Sequence, residues 1–527
     1  MWVNVLKRIC EPTLITFNQI PSKAIMITFL LSILALVLGY VLYGRLVERV
    51  FGIEPERSTP ALSHTDGVDY VPLPAWRIFL IQFLNIAGLG PIFGAIMGIF
   101  YGPSAFLWIV LGSIFAGGVH DYMSGMLSIR KQGASLPEIV GSELGMGIRQ
   151  FMRLLSIVLL VLLTTNFMTS PATLLAKLCT SDPLSSNIFT SNLFWLCIIF
   201  LYYALATVLP IDKLIGRFYP IFGGLLLFMG VGIAAVMVGA HSGDMLELTD
   251  GLQNRQTNGL PLFPMMFVSI ACGALSGFHG TQSPLMARCC TSERQGRHIF
   301  YGAMIAEGIL ALIWAAAAGS FRFPDLEGNA CLTIQEYAAI HQGENIAALV
   351  VNEISRSWLG IVGGIIAVIG VISASITSGD TALRSARLIV ADFLHLEQKT
   401  IWKRLVISVP MFAVVFGMSF VDFNIVWRYF AWTNQTLAVF TLWAATVYLY
   451  KQEHTAGASY RFGYLMTMVP ALFMTMVSVS YILIAPEGFR LPEQDRWIGY
   501  AAAAAVSMAL LIMFVVWSRK CQHKMAK

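Results

Sequence analysis

Thirteen long apolar runs dominate the chain, near residues 24–43, 77–100, 103–119, 151–171, 192–209, 217–240, 262–287, 299–319, 358–379, 401–420, 430–450, 462–485 and 497–517. A helix needs about 20 predominantly apolar residues to cross the hydrocarbon core of a bilayer, where every backbone N–H and C=O must be satisfied within the protein. Runs of this length and number predict an all-α polytopic membrane protein with about thirteen transmembrane helices. With 57% hydrophobic residues, 12% charged residues and a mean hydropathy of +0.71, little of the chain is left for a soluble domain.

The net charge of +5 says less than the placement of Lys and Arg, which favour the inner ends of spans. Arg130, Lys131 and Arg149 follow the third run, Lys213 the fifth, Arg288, Arg294 and Arg297 the seventh, and Arg384, Arg387, Lys399, Lys403 and Arg404 the ninth. These loops are read as inside, together with the C-terminal tail carrying Arg519, Lys520, Lys524 and Lys527. Loops after the sixth run (Asp244, Glu247, Asp250) and the eighth (Asp325, Glu327, Glu336, Glu344) are read as outside. Thirteen crossings then place the N-terminus outside, against Lys7, Arg8 and Lys23, and the many loops are weighed over that one tail. The first run is read as a retained span, since no small-residue cleavage site follows it. Nothing suggests nucleic-acid binding. The eight cysteines lack CxxC spacing, which argues against a thiol metal site, and vicinal Cys289 and Cys290 are read as facing a reducing interior. Cys179 and Cys331 fall in outer loops, where a disulfide is chemically allowed.

Two runs are interrupted. The second contains Asn85-Ile-Ala-Gly-Leu-Gly-Pro91, with Gln82 and Asn85 at helical spacing, and the seventh contains "SGFHGTQSP", residues 276–284. Proline removes a backbone donor and glycine eases departure from helical dihedrals, so a break is predicted at each place. Ile86-Ala87-Gly88-Leu89 and Leu275-Ser276-Gly277-Phe278 both read large, small, glycine, large. Five runs separate them, so the second copy is inverted relative to the first. Inverted repeats with interrupted helices at mid-membrane characterise many secondary transporters. Interruptions expose N–H and C=O groups where only a cavity or a ligand can satisfy them. The alternative is a kink with close interhelical packing.

Several segments carry a closer likeness: "DGVDYVP" (66–72), "IAGLGPIFGAIMG", "FAGGVHDYMSGMLSIR" (115–130), "GASLPEIVG" (133–141), "SGFHGTQSPLMAR", "YGAMIAEGILALIWAA" (301–316), "SGDTALRSARLIVADF" (378–393) and "WTNQTLA" (432–438). In this order, from about residue 40 to 440, the sequence strongly resembles the carbon starvation CstA family of bacterial inner-membrane transporters. The resemblance implies uptake of peptides or of pyruvate by a LeuT-like fold of five-plus-five inverted helices. It divides the chain into an N-terminal tail, extra helix and loop (1–76), a first repeat (77–240), a second repeat (262–450), and two further helices with an inner tail (462–527). The chain is shorter than the larger members, and "HGTQSP" stands where they carry a longer hydroxyl-rich segment.

Ionisable residues inside a membrane are expensive and usually functional. Glu307 is the one acid in the eighth run, suited to carrying a proton or to donating a neutral hydrogen bond. His279, in the second break, could meet a substrate carboxylate, titrate during coupling, or bond freed carbonyls. The candidate substrate-binding set is Asn85, Ala87, Gly88, Gly90, Ser276, Gly277, His279, Gln282 and Ser283. His120 and Asp121 are adjacent and do not share a helix face, so they are read as structural or gating, with Asp121 capping a helix or pairing with Arg130. Asp380 and Arg384, four apart, predict an ion pair at the inner mouth with Arg387 nearby. Ser373, Ser375, Thr377 and Ser378 approach the inner end of the ninth run. In the LeuT-like fold, hydroxyls there join carbonyls of the first broken helix in a sodium site, which the resemblance transfers to Ala87, Ser375, Thr377 and Ser378. Ordinary bonding back to their own helix is the alternative. Asn166, Asn434 and Gln435 are read chiefly as interhelical packing amides, and Trp108 and Trp427 as anchors or packing.

A secondary transporter coupled to H+ or Na+ is therefore expected, with protons favoured because Glu307 and His279 titrate, and with no other cofactor. A channel would need a continuous polar pore, and a transporter-like sensor would need a signalling module. An intramembrane enzyme would need a nucleophile–base pair or a metal cluster, and neither HExxH nor GxSxG occurs; the absence of a Walker motif argues against ATP.

Overall fold

The computed structural model describes residues 26–67, 69–179, 187–208, 211–325, 327–396, 400–455 and 461–525. Lys7, Arg8, Lys23, Lys399 and Lys527 lie outside these residues, as do the side chains of Lys213 and Lys524. Each of the thirteen apolar runs falls on helix. Nine helices among the described residues are long and apolar enough to cross a membrane, ten if one bent pair counts as a span. The other three runs depart from that pattern for separate reasons. The fifth is a shorter apolar helix, the seventh is broken into pieces, and the eleventh is long but rich in amides, hydroxyls and aromatic rings. A two-stranded antiparallel hairpin, Phe323–Pro324 with Ala330–Leu332, is the one sheet among the described residues.

The elements used below are α1 (Ile27–Phe51), the bent pair α2 (Ala75–Ile86) and α3 (Leu89–Ile99), α4 (Ser104–Arg130), α5 (Met146–Cys179), α6 (Leu262–Ser269), α7 (Gly277–Ala287), α8 (Glu293–Ser320), α9 (Ile346–Leu394) and α10 (Phe423–Thr455). Leu30, Leu31, Leu34 and Leu42 of α1 are exposed, a surface that lipid solvates and water does not. In α9 the chain turns sharply at Gly360, whose φ of 69° belongs to glycine, before the long crossing segment begins.

Loops bond within two separate sets, one at each end of the bundle. At the basic end, Arg130 reaches Glu293 at 3.1 Å, Arg288 donates to the carbonyl of Gly133, the amide of Leu73 donates to the carbonyl of Cys289, and Gln522 meets His454. At the acidic end, the amide of Thr28 donates to Glu247, Gln335 to the carbonyl of Phe100, Lys177 to Glu344, and Arg496 to the carbonyl of Gly259. The first described helix therefore starts at the acidic end and the last finishes at the basic end, as an odd number of crossings requires.

Both breaks form, and each is narrower than the sequence predicts. The first is two residues, Ala87 (ψ 37°) and Gly88 (ψ −135°), and bends α2 against α3 by 46°. Asn85 lies inside α2, and Gly90 and Pro91 lie in the first turn of α3, where a missing N–H removes no helical bond. The second break is Leu275 and Ser276, both extended, so most of "SGFHGTQSP" is helix α7 and not an unwound loop. The two interrupted helices cross directly. A Cβ on Gly90 would lie 2.4 Å from Cys272 Sγ, one on Gly94 2.9 Å from the carbonyl oxygen of Ser269, and one on Gly98 2.3 Å from Ile270. Gly90, Gly94 and Gly98 recur every fourth residue, a small-residue stripe that lets two backbones touch.

Three π-helical turns, Gly39–Tyr43, Ser113–Gly117 and Arg297–Tyr301, meet around the buried Tyr301, whose hydroxyl donates to the carbonyl of Ile114 at 3.0 Å. Such widened turns release carbonyls that a neighbouring side chain can take up. Cys179 and Cys331 are free thiols, so the disulfide allowed by the sequence is not formed. Trp108 and Trp427 are buried against Phe267 and Phe93, which makes them packing residues and not interfacial anchors.

Gly277 is the tightest point between α7 and α10: a Cβ there would lie 2.4 Å from the carbonyl oxygen of Asn434 and 2.7 Å from the amide nitrogen of Ala438. Because both obstacles are backbone, Gly277→Ala should lower stability by about 3 kcal/mol, read as a fall in melting temperature of the detergent-purified protein. At the basic end, burial pushes the Glu143 carboxyl up, but Lys131 at 2.7 Å and Lys451 at 2.9 Å outweigh it and hold the group below its ordinary value of 4.5. A depressed carboxylate stabilises the fold above its unfolded value and loses that contribution as pH falls through the folded value. Glu143→Gln should therefore remove part of the acid-side decline in melting temperature that the unaltered protein shows below about pH 4.5.

Candidate functional site

The second break is preceded by a kink at Ile270 and a single helical turn, Ala271–Ala274; together they leave carbonyls at the end of α6 and amides at the start of α7 short of helical partners, although the carbonyl of Ala271 keeps the amide of Leu275. Two adjacent amides of α10 serve them. Gln435 Nε2 lies 3.4 Å from the carbonyl oxygens of Phe267 and Ala271. Asn434 Oδ1 accepts from the amide of Phe278 at 2.7 Å and from Ser276 Oγ at 3.2 Å. The break is thus held open by α10, and Asn434 acts as the cap of α7 that its own sequence does not supply. This is a more specific role than interhelical packing.

That cap fixes the first turn of α7, which carries His279. His279 Nδ1 donates to Asp121 Oδ2 at 2.8 Å, and the other carboxylate oxygen accepts from His120 Nδ1 at 2.8 Å. On the far side of the ring, His279 Nε2 lies 3.3 Å from Glu307 Oε2. All four side chains are fully buried. Asp121 therefore neither caps a helix nor pairs with Arg130, which is taken by Glu293; it lies in mid-helix and orients two imidazoles. With Nδ1 committed as a donor, a proton between His279 and Glu307 has two seats, Nε2 and the carboxyl oxygen. Neither carboxyl oxygen of Glu307 has a hydrogen-bond partner among the described residues.

At the first break, Ser378 Oγ donates to the carbonyl of Leu84 at 3.2 Å and to that of Ala374 at 2.8 Å, and a Cβ on Gly88 would lie 2.8 Å from the same oxygen. Ser375 and Thr377 donate to carbonyls of their own helix, at Val371 and at Ser373 and Ala374. Of the four residues suggested for sodium, Ser378 is thus brought to the break beside the buried Ala87, and the other two hydroxyls face their own helix. Hydroxyl and carbonyl oxygens are the donors a hard cation takes. No group of three or more His, Cys, Asp or Glu side chains is placed to hold a metal ion among the described residues.

Further candidates divide. Gln282 Nε2 bonds Ser385 Oγ at 3.2 Å, linking α7 to α9, while Ser283 bonds back to the carbonyl of His279. Gln82 is buried beside the first break, with both amide atoms unpartnered among the described residues, and Asn85 is buried one turn on. Asn166 donates to Leu162 of its own helix and does not bridge helices through that group. The predicted ion pair between Asp380 and Arg384 is not formed; Nε and Nη2 of Arg384 have no partner among the described residues. Ser385, Thr281, Gly94 and Gly98 were not among the sequence candidates; Gly90 was, as a substrate-binding residue, and the structure packs it against Cys272 in the stripe Gly90, Gly94 and Gly98. Of these, the glycine spacing was visible in the sequence.

A family model described as carbon starvation protein CstA matches residues 23–181 and 172–355. An uncharacterized membrane protein of Haemophilus influenzae is 44% identical over 338 residues, 56% of this chain and 91% of that protein. A peptide transporter CstA of Campylobacter jejuni is 28% identical over 59% of the chain and 52% of its own length. A pyruvate/proton symporter BtsT of Escherichia coli is 27% identical over 53% and 46%. The chain thus matches about half the length of these two transporters. Among solved structures, a manganese transporter of Eremococcus coleocola superposes with a TM-score of 0.51 over 88% of this chain and 99% of its own, at 14% identity. MhsT in complex with L-phenylalanine gives 0.50 over 84% and 98%, at 15% identity. At such identities the likeness is one of fold, the LeuT-like architecture.

Removing the side-chain acceptor that caps α7 tests the local account. Asn434→Ala leaves the amide of Phe278 buried and unbonded, which should lower stability by about 1–3 kcal/mol in thermal unfolding.

Proposed function

As a member of the carbon starvation CstA family, the chain is one we propose to be a secondary active transporter that moves a peptide or a small carboxylate such as pyruvate across the bacterial inner membrane. The observation that carries this reading is the sealed line Asp121–His279–Glu307, set against the second break in a bundle of membrane-crossing helices. The substrate binds between the two breaks, where Gln82 and the uncapped start of α3 offer polar groups to it. In the closed arrangement His279 and Glu307 are shut off from both faces, as alternating access demands of a coupling group between its two openings.

Protons drive the cycle. Asp121 holds the ring of His279, so one proton shuttles between Nε2 and Glu307 and leaves only when that pair is opened to one face or the other. Residues 77–240 and 262–450 are the two inverted repeats, flanked by the extra first helix and the two last ones. The basic end faces the cytoplasm, and the C-terminus lies there too. A sodium-driven version rests on a different observation, the contact of Ser378 with the carbonyl of Leu84.

Reconstitution in liposomes with labelled pyruvate and labelled dialanine decides among these. Under an imposed proton gradient the protein should accumulate one of them, and Glu307→Gln should reduce accumulation by about tenfold or more while sparing substrate exchange across the membrane at equal pH. Full accumulation by Glu307→Gln removes the proton-carrier role. Accumulation under a sodium gradient alone, abolished in Ser378→Ala, would put sodium in its place.

A further inference from the structure

A groove on the flank of the bundle belongs to neither break. α1, α2 and the first half of α8 border an open cavity of about 610 Å³ at the basic end, walled by Val37, Phe79, Ile305 and Ile309. Gly302 forms its floor, where a Cβ would lie 3.3 Å from the ring of Tyr40 and 3.8 Å from that of Phe79. Polar groups gather at the mouth: Arg294, Gln295 and His298 stand at the start of α8, and Trp76 at the start of α2. From His298 to Ile309 the helix rises about 16 Å, half of the roughly 30 Å hydrocarbon core. The groove therefore runs along one leaflet, from the membrane surface to the middle.

Charge at the mouth is one-sided. No acidic side chain lines the groove. Glu48, whose charge reaches Tyr40, is held by Arg297 at 3.2 Å, and Glu293, next to Arg294 in sequence, is held by Arg130 at 3.1 Å. Arg294 is exposed and makes no ion pair among the described residues. The guanidinium of Arg77 lies 5.8 Å from the exposed ring of Trp76, and its buried Nε has no hydrogen-bond partner among the described residues. His298 meets the hydroxyl of Tyr40 through Nδ1, which leaves Nε2 for another partner. A soluble anion would meet the arginines and make no use of the apolar channel, and a neutral lipid would fill the channel and leave the charge.

We infer that this groove is a binding site for an anionic phospholipid of the leaflet at the basic end, with one acyl chain against Phe79, Ile305 and Ile309 and the phosphate among Arg294, Arg77 and His298. The inference rests on the membrane-crossing helices and not on the transport reading. Basic pockets between membrane helices take anionic head groups, and each Arg near such a group strengthens binding by about fivefold. An exposed Trp at the mouth suits head-group depth, where an amphipathic ring is half in water. Ala306 and Ile309 are half-buried on the outer side of the turn whose inner residue is the buried Glu307, so the lipid packs against the helix that carries that carboxylate.

Native mass spectrometry of the detergent-purified full chain, with dioleoyl phosphatidylglycerol and dioleoyl phosphatidylcholine compared at equal concentration, tests it. Phosphatidylglycerol should bind about twentyfold more tightly. Arg294→Gln and Arg77→Gln should each cut that preference by about fivefold, and Arg519→Gln, exposed at the same end and outside the groove, should leave it unchanged. Phosphatidylglycerol with brominated chains gives the location: it should quench tryptophan emission of the unaltered protein more than that of Trp76→Phe. Equal affinity for the two lipids would overturn the assignment. So would a preference that both groove variants retain, one that Arg519→Gln lowers as much, or quenching that Trp76→Phe leaves unchanged. Displacement of the lipid by glycerol phosphate would make this a site for a soluble anion, and a dimer that excludes phosphatidylglycerol would give the groove to a second copy of the chain; either result removes the lipid. Absence of uptake in liposomes alongside selective phosphatidylglycerol binding would remove the transporter reading and leave the lipid site standing.

Discussion

Backbone groups released at a helix break cannot turn to water inside a bilayer, and the architecture of this protein follows from how that demand is met. At the second break the answer is borrowed from another helix: Asn434 accepts from the start of α7 and Gln435 approaches the end of α6 and the turn that follows it. Because α10 holds the break, His279 is presented in a defined first turn, and because that turn is fixed, its ring reaches Asp121 on one side and Glu307 on the other. A helix interruption has been turned into a way of holding ionisable groups in register. The backbones come close enough for this because Gly277 and the stripe Gly90, Gly94 and Gly98 leave no side chain between them.

Much of the fold was legible because lipid imposes a simple rule. Apolar runs of sufficient length gave every crossing helix, and the bias of Lys and Arg sorted the loops into the same two sets that bond to one another at the two ends of the structure. The breaks were legible in place and misjudged in extent. Glycine, proline and hydroxyl residues signal tolerance of a break, but the helix resumes wherever the next amides find acceptors, and Asn434 sits some 158 residues from Ser276. No local pattern carries that information. Tyr301 is a similar case: three π-turns gather around a residue that reads in the sequence as one more aromatic in an apolar span.

The site was legible in its parts and not in its connections. Glu307 and His279 stood out as isolated ionisable groups in apolar surroundings. Asp121 did not, because adjacency to His120 argued against a shared function. That argument fails physically, since a carboxylate has two oxygens and can accept from its neighbour with one while reaching across to α7 with the other. The reverse error occurs on α9. Spacing of four residues between Asp380 and Arg384 permits an ion pair on an isolated helix, but packing against other helices leaves Arg384 without it.

The contrast between the two ends of the molecule bears on which way it can open. At the basic end, a fully buried Glu293 holds Arg130, which also reaches Tyr448 and the carbonyl of Gly52, and Glu143 bridges Lys131 to Lys451. These contacts join the end of α4, the start of α8, the residue that follows α1 and the end of α10. Opening towards that face must therefore separate charged partners, and exposure to water makes such separation inexpensive only where the partners become hydrated as they part.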